Sequence, residues 1–198
     1  MGCTPTWDVD NVPEAWKGTI AAVKEVVSFL ESEGLRHSVY VKWSGRGCHV
    51  HIHERAFSNE IRERFPPLDI GYAVVGYVNM KLERRFSEIS GSIPGSPLRV
   101  DNEMDVQRLF TCPLSLHKEL DRVCVCIDLN DLDNFTPEWA AVGAYRHFEG
   151  WNRWEEGEGD ALAERACTVV GSCPSRPSHR GRRNPPLDEQ IGRWVKKE

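Results

Sequence analysis

The sequence predicts an α+β fold, a mixed or antiparallel sheet with flanking helices. Three observations lead there. Short stretches near residues 7–10, 37–43 and 48–53 alternate with the two-residue period of a strand. Between the first two lies a longer stretch with the three-or-four-residue spacing of a helix. The last two are separated only by the polar glycine turn Ser44-Gly45-Arg46-Gly47, which reads as a hairpin.

The elements follow in order. Trp7-Asp8-Val9-Asp10 is a strand that runs into Asn11 and Pro13, residues suited to a turn that opens a helix. Residues 14 to 33 form that helix, with Ile20, Val23, Val27 and Leu30 on one face and Gly34 closing it. Residues 37–43 and 48–53 are the second and third strands. Residues 57–65 are helical until Pro66-Pro67, and residues 71–86 make a longer helix. Glycine, serine and proline from 87 to 97 predict a loop. A brief strand at 98–101 ends in Asp101, residues 103–110 supply a helical turn or two, and residues 123–128 are the clearest strand of the second half. The aromatic-rich stretch 139–154 is expected to pack as a helix across the sheet.

At 198 residues, one ordinary domain is expected over 1–170, followed by a flexible basic Pro/Ser/Arg-rich linker at 171–187 and a short helix at 188–198. No apolar run approaches the roughly 20 residues of a membrane span and the N-terminus lacks a secretion signal, so a cytoplasmic protein with no membrane partner is expected. Seven cysteines, an odd and scattered set, predict reduced thiols. Cys124 with Cys126, or Cys167 with Cys173, lacks the two-plus-two spacing of structural zinc. A net charge of −5 excludes nonspecific coating of nucleic acid but leaves room for a local basic site.

The chemistry concentrates in two places. Asp8 and Asp10, at alternate strand positions, project two carboxylates to one side, as hard cations such as Mg²⁺ or Mn²⁺ require. Asp101, at the end of its short strand, is the candidate third acid. Read without function, all three are ordinary turn or cap acids. In the hairpin, His49, His51 and His53 share one strand face, while Gly45 and Gly47 let backbone N–H groups approach a ligand and Arg46 offers a planar fork for phosphate oxygens. The histidines also admit a zinc hydrolase reading, with two of them and a ligand from elsewhere.

Asp8-Val9-Asp10, then Ser44-Gly45-Arg46-Gly47-Cys48-His49, then Val100-Asp101 with Arg108-Leu109 and Pro113-Leu114-Ser115-Leu116-His117 resemble the ordered motifs of the archaeo-eukaryotic primase superfamily. The likeness is closest to the small catalytic subunit of archaeal and eukaryotic primase and spans about residues 7 to 140. It implies an RRM-like sheet as the catalytic core. It also implies a nucleotidyltransferase that makes or extends RNA or DNA primers from nucleoside triphosphates on a single-stranded DNA template. By the same resemblance, Asp8, Asp10 and Asp101 hold two divalent ions, Mg²⁺ or Mn²⁺. Ser44, Arg46 and His49 grip phosphates, and Ser115 and His117 of the later motif add contacts. A primase large subunit, or another replication or repair protein, is the implied partner, with the segment around Trp194 as its candidate contact. The alternative is a noncatalytic RRM-like module that binds nucleotide or nucleic acid.

The chain departs from the family pattern in four ways. The turn is one residue shorter, Thr111 stands where archaeal members tend to carry arginine, and the zinc-binding insertion is missing. Members of the family also carry a long segment before the D-x-D pair, which here begins at residue 8. A minimal member, a subunit completed by another chain, or a domain cut from a longer protein is expected.

Overall fold

The structure is a computed structural model that describes residues 2–105 and 107–174. The expected helix at 188–198 and all but the first residues of the expected linker lie outside the described residues. The described residues form an α+β fold built on a five-stranded antiparallel sheet with flanking helices. Strands β1 (Thr6–Asp10), β2 (Val39–Trp43), β3 (Cys48–Ile52), β4 (Arg99–Asp101) and β5 (Val125–Ile127) lie in the spatial order β4-β1-β3-β2-β5. Helix α1 (Trp16–Ser32) connects β1 to β2; α2 (Asn59–Arg64) and α3 (Pro67–Ser92) connect β3 to β4; and α4 (Asp160–Val170) follows β5.

Register divides the sheet into two chemically opposite faces. Trp7, Val50, Val41 and Ile127 are paired across four strands, as are Val100, Val9, Cys48, Trp43 and Val125 across five. Directly paired residues share a face, so this face is continuous and apolar. It packs against α1 and α3 to form the core, in which Val9, Val41, Val50 and Ile52 are fully buried. Helix α1 ends where Gly34, at φ +100°, turns the chain back. The Leu35 amide then donates to the Leu30 carbonyl and the Gly34 amide to that of Glu31, while both leucines stay buried, the pattern of a Schellman stop. No helix among the described residues is long and apolar enough to cross a membrane.

The elements depart from sequence expectation in four places. Helix α3 runs through Ser92 rather than stopping at 86, because Ser87 and Ser92 donate their hydroxyls back to the Glu83 and Ile89 carbonyls and Arg84 and Arg85 pair with Glu88 along the same face. The described residues 103–105 and 107–110 form a turn and coil instead of helix. Residues 139–154 are not a helix either. Only short 3₁₀ turns at Pro137–Ala140 and Glu149–Trp151 interrupt the coil. Backbone groups there bond outside the segment or bridge its turns: the Ala140 carbonyl accepts from Val123, the Arg146 amide donates to Trp139, and the Phe148 amide donates to Cys126. Helix α4, unexpected beside an acidic cluster, buries Leu162, Ala163, Ala166 and Cys167 and packs on α3.

Ile52, on the apolar face, gives the sharpest test of this core. Ile52→Ala is expected to cost about 2–5 kcal/mol and to lower the urea midpoint with no change in slope.

Candidate functional site

On the opposite face the register lays out a polar row. Asp101 of β4 pairs with Asp8 of β1, Asp8 with His49 of β3, His49 with Lys42 of β2, and Lys42 with Cys126 at the centre of β5. Directly paired side chains lie about 5 Å apart at Cβ, so four strands bring four polar groups side by side. The next row holds Thr6, His51 and Tyr40.

Asp8 is the hub. Only 6% exposed, its carboxylate meets His49 Nε2 at 3.2 Å and accepts a bond from the Arg108 guanidinium at 2.6 Å. Burial alone raises an acid, but the His49 ring and the Arg108 guanidinium outweigh it and hold the Asp8 carboxyl below its ordinary value. Arg108 also pairs with Glu103. Asp10 lies two residues along on the same face and is exposed. Partial burial and then the neighbouring Asp8 carboxylate, with a further contribution from Asp101, push its carboxyl up. Asp101 accepts from Arg99 at 2.9 Å.

The hairpin turn abuts these acids. A Cβ on Gly47 would stand 2.7 Å from the Val9 carbonyl oxygen and 2.8 Å from an Asp10 carboxylate oxygen, so only glycine admits this approach of β1. Gly45, at φ +116°, lies under the His117 ring, 2.9 Å from where its Cβ would be. The Ser44 amide and hydroxyl both donate to the Gly47 carbonyl, and Arg46 pairs with Glu119 at 3.3 Å. His117 accepts at Nδ1 from the Glu119 and Leu120 amides. Ser44, Arg46 and His117 thus meet at the turn that joins β2 to β3, beside the row. Ser115 bonds within its own loop, its hydroxyl donating to the Cys112 carbonyl at 2.6 Å.

Asp8, Asp10, Asp101 and His49 therefore converge, but their ligand atoms do not close on one point. Among the described residues, the one group of three or more His, Cys, Asp or Glu ligand atoms within 4.8 Å of one another is His37, Glu155 and Glu158. There Glu158 already accepts from the Arg36, His37 and Ser38 amides, which is a loop anchor. The three strand histidines do not form a zinc tripod. His51 Nδ1 lies 2.8 Å from the Thr6 hydroxyl and its ring stacks on Tyr40, while His53 Nε2 lies 3.0 Å from the Asn152 side-chain oxygen and its ring stacks on Trp154.

No protein-family model matches this chain, and no curated protein matches it. The site therefore has to be read from its own residues.

Lys42, Phe110 and the pairing of Arg108 with Asp8 escaped the sequence reading. Lys42, 4% exposed, donates to the Thr111 carbonyl at 2.5 Å, and burial lowers its ammonium below the ordinary lysine value. Its signal was present: it shares strand parity with Tyr40 and sits mid-strand between Val41 and Trp43. Arg108 reaches Asp8 from a loop 100 residues away, which no local pattern encodes. Phe110 caps the row, its ring edge-on to His49 at 5.4 Å and to His51 at 6.0 Å between centroids. Beneath it, His49 Nδ1 and His51 Nε2 are buried without hydrogen-bond partners among the described residues.

Chemically, three neighbouring carboxylates, with Asp10 raised by burial and its acidic neighbours, are a donor set that a hard divalent cation could neutralise, and the arginines at Asp8 and Asp101 are its competitors. Thermal unfolding checks this. Saturating Mn²⁺, at about 100 times its Kd, is expected to stabilise the protein by about 2.7 kcal/mol, or about 5–10 °C. Asp10→Asn is expected to raise the melting temperature in chelator and to abolish the Mn²⁺ gain.

His51 gives a pH test. Complete burial, then Lys42 and His49, hold its ring neutral well below the ordinary value of 6.5. The unfolded chain takes up the proton first, so stability is full above 6.5 and falls with pH below it, by up to about 1.4 kcal/mol per pH unit. His51→Phe leaves Thr6 bonded to the Thr4 carbonyl and is expected to flatten the melting temperature between pH 6.5 and 5.

Proposed function

We propose that this chain is a primase-like nucleotidyltransferase of the archaeo-eukaryotic primase superfamily, closest to the small catalytic subunit, acting on nucleoside triphosphates at a single-stranded template. The observation that carries this reading is the cross-strand row Asp101, Asp8 and His49, with Asp10 beside it and the glycine turn against Asp10. Three sequence-distant motifs meet at one end of one sheet face, as one reaction centre requires. The strand order β4-β1-β3-β2, reached through strand-helix-strand-strand-helix-strand connections, supports an RRM-like core to which β5 adds an edge.

In this reading Asp8, Asp10 and Asp101 hold Mg²⁺ or Mn²⁺. Ions held there would neutralise triphosphate oxygens and lower the barrier to attack of a 3′-hydroxyl on the α-phosphate with departure of pyrophosphate. His49 and the hairpin residues Ser44 and Arg46, with His117 against Gly45, supply donors to the remaining phosphate oxygens. Lys42 brings a cation to Thr111, the position where archaeal members of the superfamily tend to carry arginine. Phe110 covers the row against water. Ser115, bonded within its own loop, supports that loop rather than a phosphate.

One observation favours a second reading, a nucleotide- or nucleic-acid-binding module without transfer. Asp8 already has both carboxylate oxygens engaged, by His49 and Arg108.

Primer synthesis and extension on single-stranded DNA with Mn²⁺ or Mg²⁺ separate the two. Product from the intact chain, reduced by at least about 10³-fold in Asp8→Ala plus Asp10→Ala, is the expected result. No product from the folded chain with either metal would leave the binding module.

A further inference from the structure

The coil over 139–154 leaves aromatic rings near the surface with arginines laid over them. Arg146 lies 3.8 Å from the Trp139 ring centroid, Arg55 4.7 Å from that of Trp154, and Arg153 5.2 Å from that of Phe148. Several arginines elsewhere face acids, as Arg46 does Glu119, Arg64 does Glu164 and Arg165 does Glu33. Arg36, Arg55, Arg146 and Arg153 have no such acid among the described residues. Three of these, Arg55, Arg146 and Arg153, lie over flat rings. That combination suits a ligand with both a planar base and a phosphate.

A cavity of about 220 Å³ opens in this region, lined by Tyr40, Phe148 and Trp151, with Arg36 and Arg153 among its cations and Asp128 as an acceptor. Its volume suits a single nucleobase. Tyr40 stands on the same sheet face as Asp8, two strands and one two-residue step away, or about 12 Å by sheet spacing. The Tyr40 hydroxyl has no hydrogen-bond partner among the described residues. Asp128 uses one carboxylate oxygen to cap Asn130. The other is left to accept from an exocyclic amine.

We propose that this cavity receives one base of a single strand of nucleic acid, with the flanking phosphates on Arg36 and Arg153. The proposal deepens the nucleotidyltransferase reading, and in that sense rests on it, by naming where the template is held. Two of the ring and arginine pairs, at Trp139 and Trp154, lie outside the cavity lining. They offer more binding surface than a mononucleotide uses, which favours a strand over a free nucleotide.

The test is fluorescence anisotropy of a labelled oligo(dT) of about 12 nucleotides, read without nucleoside triphosphate or divalent cation. Trp151→Ala is expected to weaken binding about 5- to 150-fold. Arg36→Ala plus Arg153→Ala is expected to lower the slope of log affinity against log salt by about 1.4, near 0.7 for each phosphate no longer neutralised. Both arginines are exposed, so this variant folds even where the tryptophan change does not, and circular dichroism checks each. Wild-type affinity in the folded arginine variant, or no binding by the intact chain, would overturn the proposal. Competition by thymidine monophosphate as strong as by unlabelled oligo(dT) would overturn it in favour of a mononucleotide pocket. Because no transfer is measured, a chain that makes no primer yet loses oligo(dT) binding in the variants keeps the pocket and loses only the polymerase.

Discussion

Asp8 is a carboxylate on an inner strand of the sheet, almost wholly removed from water, and an ion in that position must be compensated or it protonates. Compensation comes from two directions. His49 arrives through the β1–β3 register, and Arg108 arrives from the coil that follows β4. The first ties the hairpin to β1 in one alignment, since a one-residue slip would send His49 into the apolar core. The second draws the coil at Arg108 down over the sheet, and with it Phe110, which roofs the histidines. Much of the polar face is thus arranged around one charge.

The two faces of the sheet are stabilised by different physics. Beneath α1 and α3 the contacts are apolar and nondirectional, and they tolerate modest changes of shape. The other face is nearly as dry but carries Lys42, His49, His51 and His53 within it. Its stability depends on directional bonds, to Thr6, Thr111 and Asn152, and on aromatic stacking by Tyr40 and Trp154. Buried ring nitrogens without partners at His49 and His51 are destabilising. A face that keeps such groups, where apolar residues would pack at less cost, fits a surface kept for chemistry.

Electrostatics grade the same face along the strands. At the β1–β4 side three carboxylates repel one another. Lys42 follows on β2, and beyond it, past Tyr40, come Arg36 and Arg153, which have no ion-pair partner among the described residues. A polyanion lying across that gradient would meet phosphate-binding charge at one end and a cation-seeking cluster at the other. The proposed reaction centre and the proposed strand pocket are in this sense two ends of one field.

Much of this was written locally in the chain. The two-residue alternation of Asp8 and Asp10 and of the histidines, the three-or-four-residue spacing of α1 and its Gly34 stop are consequences of backbone sterics acting over a few residues, so the strands, the first helix and the face of each acid are legible without a structure. Distant partners are not. That Asp101 stands opposite Asp8 depends on which strands become neighbours, and that Arg108 neutralises Asp8 depends on a coil with no period of its own. Residues 139–154 carry the composition of a packed helix, yet their amides serve carbonyls such as that of Cys126 in β5, so the segment lies as coil. Local periodicity determines which way a side chain points; only long-range pairing decides what it meets there, because backbone bonds made across the fold compete with those a segment can make with itself.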